Sequence, residues 1–230
     1  MSRIKPLAFA AGAARSLGAL WSVLRGEETA AKAALRLKLG LKLDTRRWNP
    51  ELLKQLEWRR FEEVCAAYYE TLGFAVAVSG AGTPAGVAMV IRDQDAKTHS
   101  IARCKAWDAH RVGPKAVREL RRAMDAAKIA DGVLLTSGRF THDAVSLATQ
   151  EGIRLIDGPA LLEKIGALTP EKALALLQFA TQGDFLSPTC PLCSVKMISR
   201  QSTKDGRKYW GCRNYPACKQ TFAGTASAPA

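Results

Sequence analysis

The sequence predicts an α/β protein: a mixed central sheet flanked by helices, preceded by a helical extension and followed by a small cysteine-rich module. Three observations carry that prediction. Between residues 51 and 165, strand-like runs first follow one another across short turns and then alternate with amphipathic segments. This order, α-β-β-β-α-β-α-β-α, builds a mixed sheet between helical layers. Residues 8–43 are rich in Ala, Leu, Lys and Arg with few helix breakers. Four of the six cysteines fall in two close pairs between residues 190 and 218.

The elements follow in chain order. Residues 8–43 read as one or two helices broken near Gly26, and "DTRRWNP" as a turn-rich link. "PELLKQLEWRRFEEVCAAYYETLG" places Leu52, Leu53, Leu56, Phe61, Val64, Cys65, Tyr68 and Leu72 mostly at helical spacing, which predicts a single helix ended by Gly73. "FAVAVSG", "VAMVIRD" and "HSIARCKAW" read as strands, joined by turns at "AGTPAG" and "QDAKT". "GPKAVRELRRAMDAAKIA" is a helix with Pro114 in its first turn, where a missing N–H costs nothing. "DGVLLTS" is a buried strand. "THDAVSLATQEG" is a helix opened by Thr141 and closed by Gly152. "IRLIDG" is a short strand and "PALLEKIGAL" a helix. "TPEKALALLQFATQGDF" is one more helix, leading into a linker near "LSPT", and "AGTASAPA" is a low-complexity tail expected to be disordered. The expected divisions are an extension over 1–50, the α/β domain over 51–168, a helix and linker over 169–189, the cysteine module over 190–222 and the tail over 223–230.

With 230 residues, 47% of them hydrophobic, the chain can bury a core in one or two domains, which excludes wholesale disorder. The net charge of +13 points to a polyanionic partner, with nucleic acid first and an anionic membrane surface second. Its distribution is uneven. Residues 1–60 hold 13 Lys/Arg against 5 Asp/Glu, residues 61–165 hold 13 against 13, and residues 190–230 hold 7 against 1. The basic flanks therefore enclose a neutral middle, and one flank coincides with the cysteine module. The apolar N-terminal run "PLAFAAGAARSLGALWSVL" is split by Arg15 into pieces shorter than the roughly 20 residues that span a bilayer. It reads as a helix packing on the main domain or on a second copy in a homodimer. The alternatives are a basic amphipathic helix in contact with a membrane and, less favoured, a cleaved signal peptide. Clustered thiols of the metal-binding kind suit a reducing compartment, so a cytoplasmic location is expected.

The cysteine module holds Cys190-x2-Cys193 and, 18 residues later, Cys212-x5-Cys218. Two close pairs on tight turns can present four thiolates to Zn²⁺ tetrahedrally, and a segment this small draws its folding free energy from the metal. The residues between the pairs read as a β-hairpin turning at "KDG". "CPLC", the basic hairpin, "YWGC" and "NYPAC" closely resemble the C4 zinc ribbon at the C-termini of type IA DNA topoisomerases. In that family the ribbon binds DNA, single strands above all. Here Lys196, Arg200, Lys204, Arg207, Lys208, Arg213 and Lys219 can meet phosphates. Tyr209, Trp210, Tyr215 and Phe222 can stack on bases, with at least half of them expected to serve the packing of the ribbon instead.

Residues 57–165 resemble the Mrr-type restriction endonuclease domain, a branch of the PD-(D/E)xK nuclease fold. The pieces that carry the resemblance are "FEEVCAAYYETLGFAV", "GAGTPAGVAMVI", "IARCKAW", "LLTSGRFTHDA" and "LIDG". It implies an Asp in the second strand and a Gln or Glu two residues before a Lys in the third, the acids holding Mg²⁺ and the Lys helping to orient or activate water. In this chain Ala88 stands where the Asp belongs and Arg103 where the Gln or Glu belongs; only Lys105 remains. Asp93 and Asp95 have the wrong strand parity to substitute. Glu62, Glu63 and Glu119 lie on helices beside the sheet, so an active enzyme would rely on Lys105 with Glu62 and Glu119. Arg103 and Lys105, two apart on a strand, share a face and can hold a phosphate directly; the plainer reading pairs Arg103 with Glu62 or Glu63.

The remaining candidates are bland. His99, His110 and His142 show no metal-ligand spacing, and Cys104 alternates with the basic pair and so faces the core. The expected function is a DNA-binding protein with a catalytically degenerate nuclease-like domain, structural Zn²⁺ and no Mg²⁺. The alternative is an active Mg²⁺-dependent DNA endonuclease that uses the displaced carboxylates.

Overall fold

The structure is a computed structural model and describes residues 43–78, 89–95, 97–106 and 111–223. The expectations for the N-terminal helices up to residue 42, the turn at "AGTPAG", Ala88, His110 and the tail beyond residue 223 lie outside the described residues.

Helix α1 (Pro50–Gln55) opens on Asn49, whose side chain accepts from the Leu52 N–H. It stops at Leu56, which turns to ψ 125°, and Glu57 then starts α2 (Trp58–Thr71), accepting from the N–H groups of Arg59 and Arg60. The single helix expected over this stretch is thus two. The hydrophobic spacing runs through the break because Leu52, Leu53, Leu56, Phe61, Val64 and Cys65 all enter the core. Glutamate is an unusual N-cap, so the boundary left no familiar mark in the sequence.

The central sheet begins with an antiparallel meander: β1 (Ala75–Val78), β2 (Met89–Arg92) and β3 (Thr98–Lys105). A two-residue strand, β4 (Arg111–Val112), precedes α3 (Pro114–Ala127), which returns the chain for β5 (Gly132–Thr136) to run parallel to β3. Short β6 (Arg139–Phe140), parallel to β4, leads to α4 (His142–Gln150), and β7 (Ile153–Ile156) pairs parallel with β5. Helices α5 (Gly158–Gly166) and α6 (Pro170–Thr181) follow. The strand order β1-β2-β3-β5-β7 is the mixed sheet that the sequence predicts. Strands β4 and β6 were not predicted, since two residues carry no periodicity.

Two layers cover the sheet. Helix α2 packs on β1, β2 and β3. Ile101, Val117, Leu120, Met124, Leu134, Ala144 and Ala148 form one apolar cluster with α3 and α4, each at most 1% exposed. At about 25 cal/mol per Å², burying each of the larger of these side chains contributes about 1.5–3 kcal/mol. The "TSG" and "IDG" pieces touch. The Gly158 N–H donates to the Gly138 carbonyl at 3.0 Å, and a Cβ on Gly158 would lie 2.5 Å from the Ser137 carbonyl oxygen. Only glycine permits that approach.

Residues 182–189 are pinned, not slack: the Glu57 N–H donates to the Phe185 carbonyl at 3.0 Å and Trp58 Nε1 to the Thr189 carbonyl at 2.7 Å. The cysteine module beyond them is a three-stranded antiparallel sheet in the order β10-β9-β8. It comprises β8 (Ile198–Gln201), β9 (Lys208–Gly211) and β10 (Thr221–Ala223), with the hairpin turning at "KDG" as expected. Among the described residues no helix is long and apolar enough to cross a membrane.

Candidate nucleic-acid interface

Strand β3 shows the alternation that its sequence implies: Ala102 and Cys104 are buried, Arg103 and Lys105 half-buried. Burial, then a hydrogen bond with Cys65, pushes the Cys104 thiol well above its ordinary pKa, as suits an inert core thiol. The end of β3 is held from β5. Thr136 Oγ1 donates to the Lys105 carbonyl at 2.7 Å and the Ser137 N–H to the same oxygen at 3.3 Å.

Arg103 faces α3, where its Nη2 lies 2.8 Å from Glu119 Oε2, the two side chains being 16% and 28% exposed. The sequence pointed to Glu62 or Glu63 as partners. Glu63 instead pairs with Arg59 at 3.6 Å and Arg60 at 3.3 Å, neighbours one helical turn away. Partner choice here follows which helix covers the strand face, and sequence spacing does not reveal that.

Lys105 lies beside this pair. Burial and then the Arg103 charge lower its pKa, with Lys115 acting the same way, while Glu119 and Glu62 oppose them. Glu62 is pushed up to about 7, first by burial and then by the nearby Glu57 and Glu63 charges, against the pull of Arg59 and Arg103. Glu62 on α2, Arg103 and Lys105 on β3, and Lys115 and Glu119 on α3 therefore share one electrostatic neighbourhood. Sequence reasoning missed Lys115. Its one signal was the i,i+4 spacing to Glu119 at the start of α3. Asp93, as expected, serves elsewhere: its carboxylate accepts from the N–H groups of Asp95 and Lys97 in the β2–β3 turn.

Among the described residues, the only group of three or more Cys, His, Asp or Glu with converging ligand atoms is Cys190, Cys193, Cys212 and Cys218. Their sulfurs lie within 4.8 Å of one another, and Cys190 Sγ is 3.8 Å from Cys218 Sγ. A tetrahedron of four thiolates about 2.3 Å from Zn²⁺ has edges of about 3.8 Å, so the donor set fits a structural zinc. Local turns hold it: the Cys190 N–H donates to the Val195 carbonyl, Ser194 adopts φ 55°, and the Asn214 N–H donates to Cys212 Sγ.

One side of the ribbon forms a groove of about 270 Å³ lined by Arg200, Tyr209, Gly211, Tyr215 and Lys219. The Arg200 guanidinium lies 5.5 Å from the centre of the Tyr215 ring, and its buried Nε has no hydrogen-bond partner. Gly211 makes that pose possible, since a Cβ there would come within 2.8 Å of Arg200 Cδ and 2.9 Å of its Nε. Tyr215 is 61% exposed, Tyr209 half-buried, and Lys208 and Arg213 are exposed. Two side chains have roles other than those expected. Trp210, 5% exposed, packs with Met197 and the zinc-ligand cysteines, so its ring serves the ribbon core and is not open to a base. Lys196 is engaged by the buried Glu57 carboxylate at 3.0 Å and by the Ser187 carbonyl at 2.9 Å.

The family model for a restriction endonuclease domain of the Mrr type matches residues 53–165, and the model for the topoisomerase DNA-binding C4 zinc finger matches residues 187–223. No curated protein matches. Among solved structures, a protein of unknown function, AF1548, aligns at 17% identity and TM-score 0.40 over 48% of this chain and 67% of that one. The MspJI restriction endonuclease in complex with a 27-mer oligonucleotide aligns at 16% identity and TM-score 0.39, over 58% of this chain and 34% of its own. The chain therefore joins an Mrr-type restriction endonuclease-like domain to a topoisomerase-type C4 zinc ribbon.

Proposed function

We propose that this protein binds DNA through both modules and that its nuclease-like domain holds phosphate with basic side chains instead of cleaving it through a metal. The observation that carries the reading is the Arg103–Glu119 ion pair beside Lys105. The guanidinium stands where the family places a metal-binding acid, and it repels a divalent cation. Glu119, engaged by Arg103, is a poor ligand for hard Mg²⁺, which needs several oxygens in a near-octahedral array. An arriving phosphate competes with Glu119 for Arg103, and Lys105 supplies a second positive charge on the same face. On the ribbon, the exposed Tyr215 ring and the Arg200–Lys219 groove suit an unpaired base with its phosphate.

The second reading is an active Mg²⁺-dependent endonuclease. What favours it is that Glu62 and Glu119 approach Lys105 from two helices. The carboxylates would hold the ion, which would polarise the phosphate, and Lys105 would orient the water. A proton retained on Glu62 up to about pH 7 works against that use. Incubating supercoiled plasmid with the full-length protein and Mg²⁺ or Mn²⁺ separates the readings. Salt-sensitive gel shifts without nicking are expected. Nicking that disappears in Lys105→Ala would overturn the binding-only proposal. We place the protein in the cytoplasm on the evidence of its metal-binding thiols alone.

A further inference from the structure

We infer that zinc at the ribbon controls the order of helix α2, so that the geometry around Glu62 and Lys105 answers to zinc occupancy. The inference stands whether or not the domain cleaves DNA.

The link is the Glu57 carboxylate, 2% exposed. It accepts five hydrogen bonds: from the N–H groups of Arg59 and Arg60, from the N–H and hydroxyl of Thr189, and from Lys196 Nζ. The first two come from its own helix, and the other three come from the first zinc knuckle. Thr189 directly precedes Cys190, and Lys196 lies three residues after Cys193. The two face each other in a β-bridge that closes the base of the knuckle. Lys196 is steadied by a second bond, to the Ser187 carbonyl at 2.9 Å. Trp58 adds a fourth contact from the helix side through its bond to the Thr189 carbonyl.

Apart from its cysteines, the ribbon core is little more than Met197, Trp210 and the partly buried Val195 and Phe222. A module with so few apolar residues folds on its metal. Without zinc the knuckle has nothing to hold Thr189 and Lys196 in register, and Glu57 loses three of its five donors. A carboxylate cannot stay buried with that loss, so the first turn of α2 must shift to bring it to water. Glu62 lies five residues on, about 7.5 Å along the same helix. Loss of the metal is therefore felt at the side chains around Lys105 through helix α2.

Hydrogen–deuterium exchange on the full-length, zinc-loaded protein tests this. On removal of zinc by chelation, amides of residues 58–66 are expected to exchange at least tenfold faster, with those of 114–136 changing less than twofold. Lys196→Met should reproduce part of the acceleration at 58–66 while metal analysis still finds zinc bound. Unchanged exchange at 58–66 after zinc loss would overturn the proposal. So would equal acceleration at 58–66 and 114–136, which would mean that the ribbon supports the whole fold and not this helix.

Discussion

Glu57 and Lys196 stand 139 residues apart in the chain and 3.0 Å apart in the fold, joining the start of α2 to the first zinc knuckle. Glu57 is buried, so its partners matter more than those of a surface pair. Lys196→Met removes one charged donor and leaves four others. Urea unfolding should show a loss of about 2 kcal/mol, the scale of a hydrogen bond to a charged group. Lys196→Arg should recover most of it.

Glu119 holds Arg103 when no DNA is present. Glu119→Gln should therefore tighten DNA binding and steepen its salt dependence by about one unit of log–log slope, since one more cation becomes available to a phosphate. Arg103→Ala should weaken binding and flatten the slope. Fluorescence anisotropy across a salt series measures both. Equal slopes for wild type and Glu119→Gln would exclude Arg103 from the interface.

Glu62 titrates near 4.5 in an unfolded chain and near 7 in the fold. Between those values the folded protein holds a proton that the unfolded chain releases. Stability is therefore greatest below about pH 4.5 with respect to this group, falls as pH rises towards 7, and is level above it. The swing is at most about 3 kcal/mol, at 1.36 kcal/mol per pH unit, and is reduced by the partial exposure of the side chain. Denaturant unfolding from pH 5 to 8 should show this decline, and Glu62→Gln should remove it.

Gly211 and Tyr215 make a paired test of the ribbon groove. Tyr215→Ala should cost about 1–3 kcal/mol in single-stranded DNA binding, the usual value of one base-stacking contact. Gly211→Ala places a methyl where the Arg200 side chain now lies. Because that side chain can swing aside, stability should barely change while single-strand affinity falls to a similar extent. Metal analysis should find one zinc per chain in both variants and none in Cys212→Ser.

Much of the architecture was legible before any coordinates. The period-two pattern of β3 put Arg103 and Lys105 on one face, the helix signals around Pro114 and Thr141 marked α3 and α4, and the mixed sheet followed from a meander succeeded by alternating helices and strands. The break between α1 and α2 was not legible, because its apolar residues keep the same spacing across it and its cap is a glutamate. Trp210 could be read equally well as a stacking face or a core residue, since an aromatic next to a zinc ligand serves either purpose.

What the sequence by itself determined is whatever depends on neighbours close along the chain: element order, strand faces, the two close cysteine pairs and the absence of an acid two residues before Lys105. What only the tertiary structure decided is which distant group each charged side chain meets. Arg103 meets Glu119, Lys196 meets Glu57, and Glu62 is buried enough to keep its proton to about pH 7. The physical reason is that periodicity reports which side of an element is covered. The covering element, and therefore the charge waiting there, is chosen by packing between segments that can lie more than a hundred residues apart.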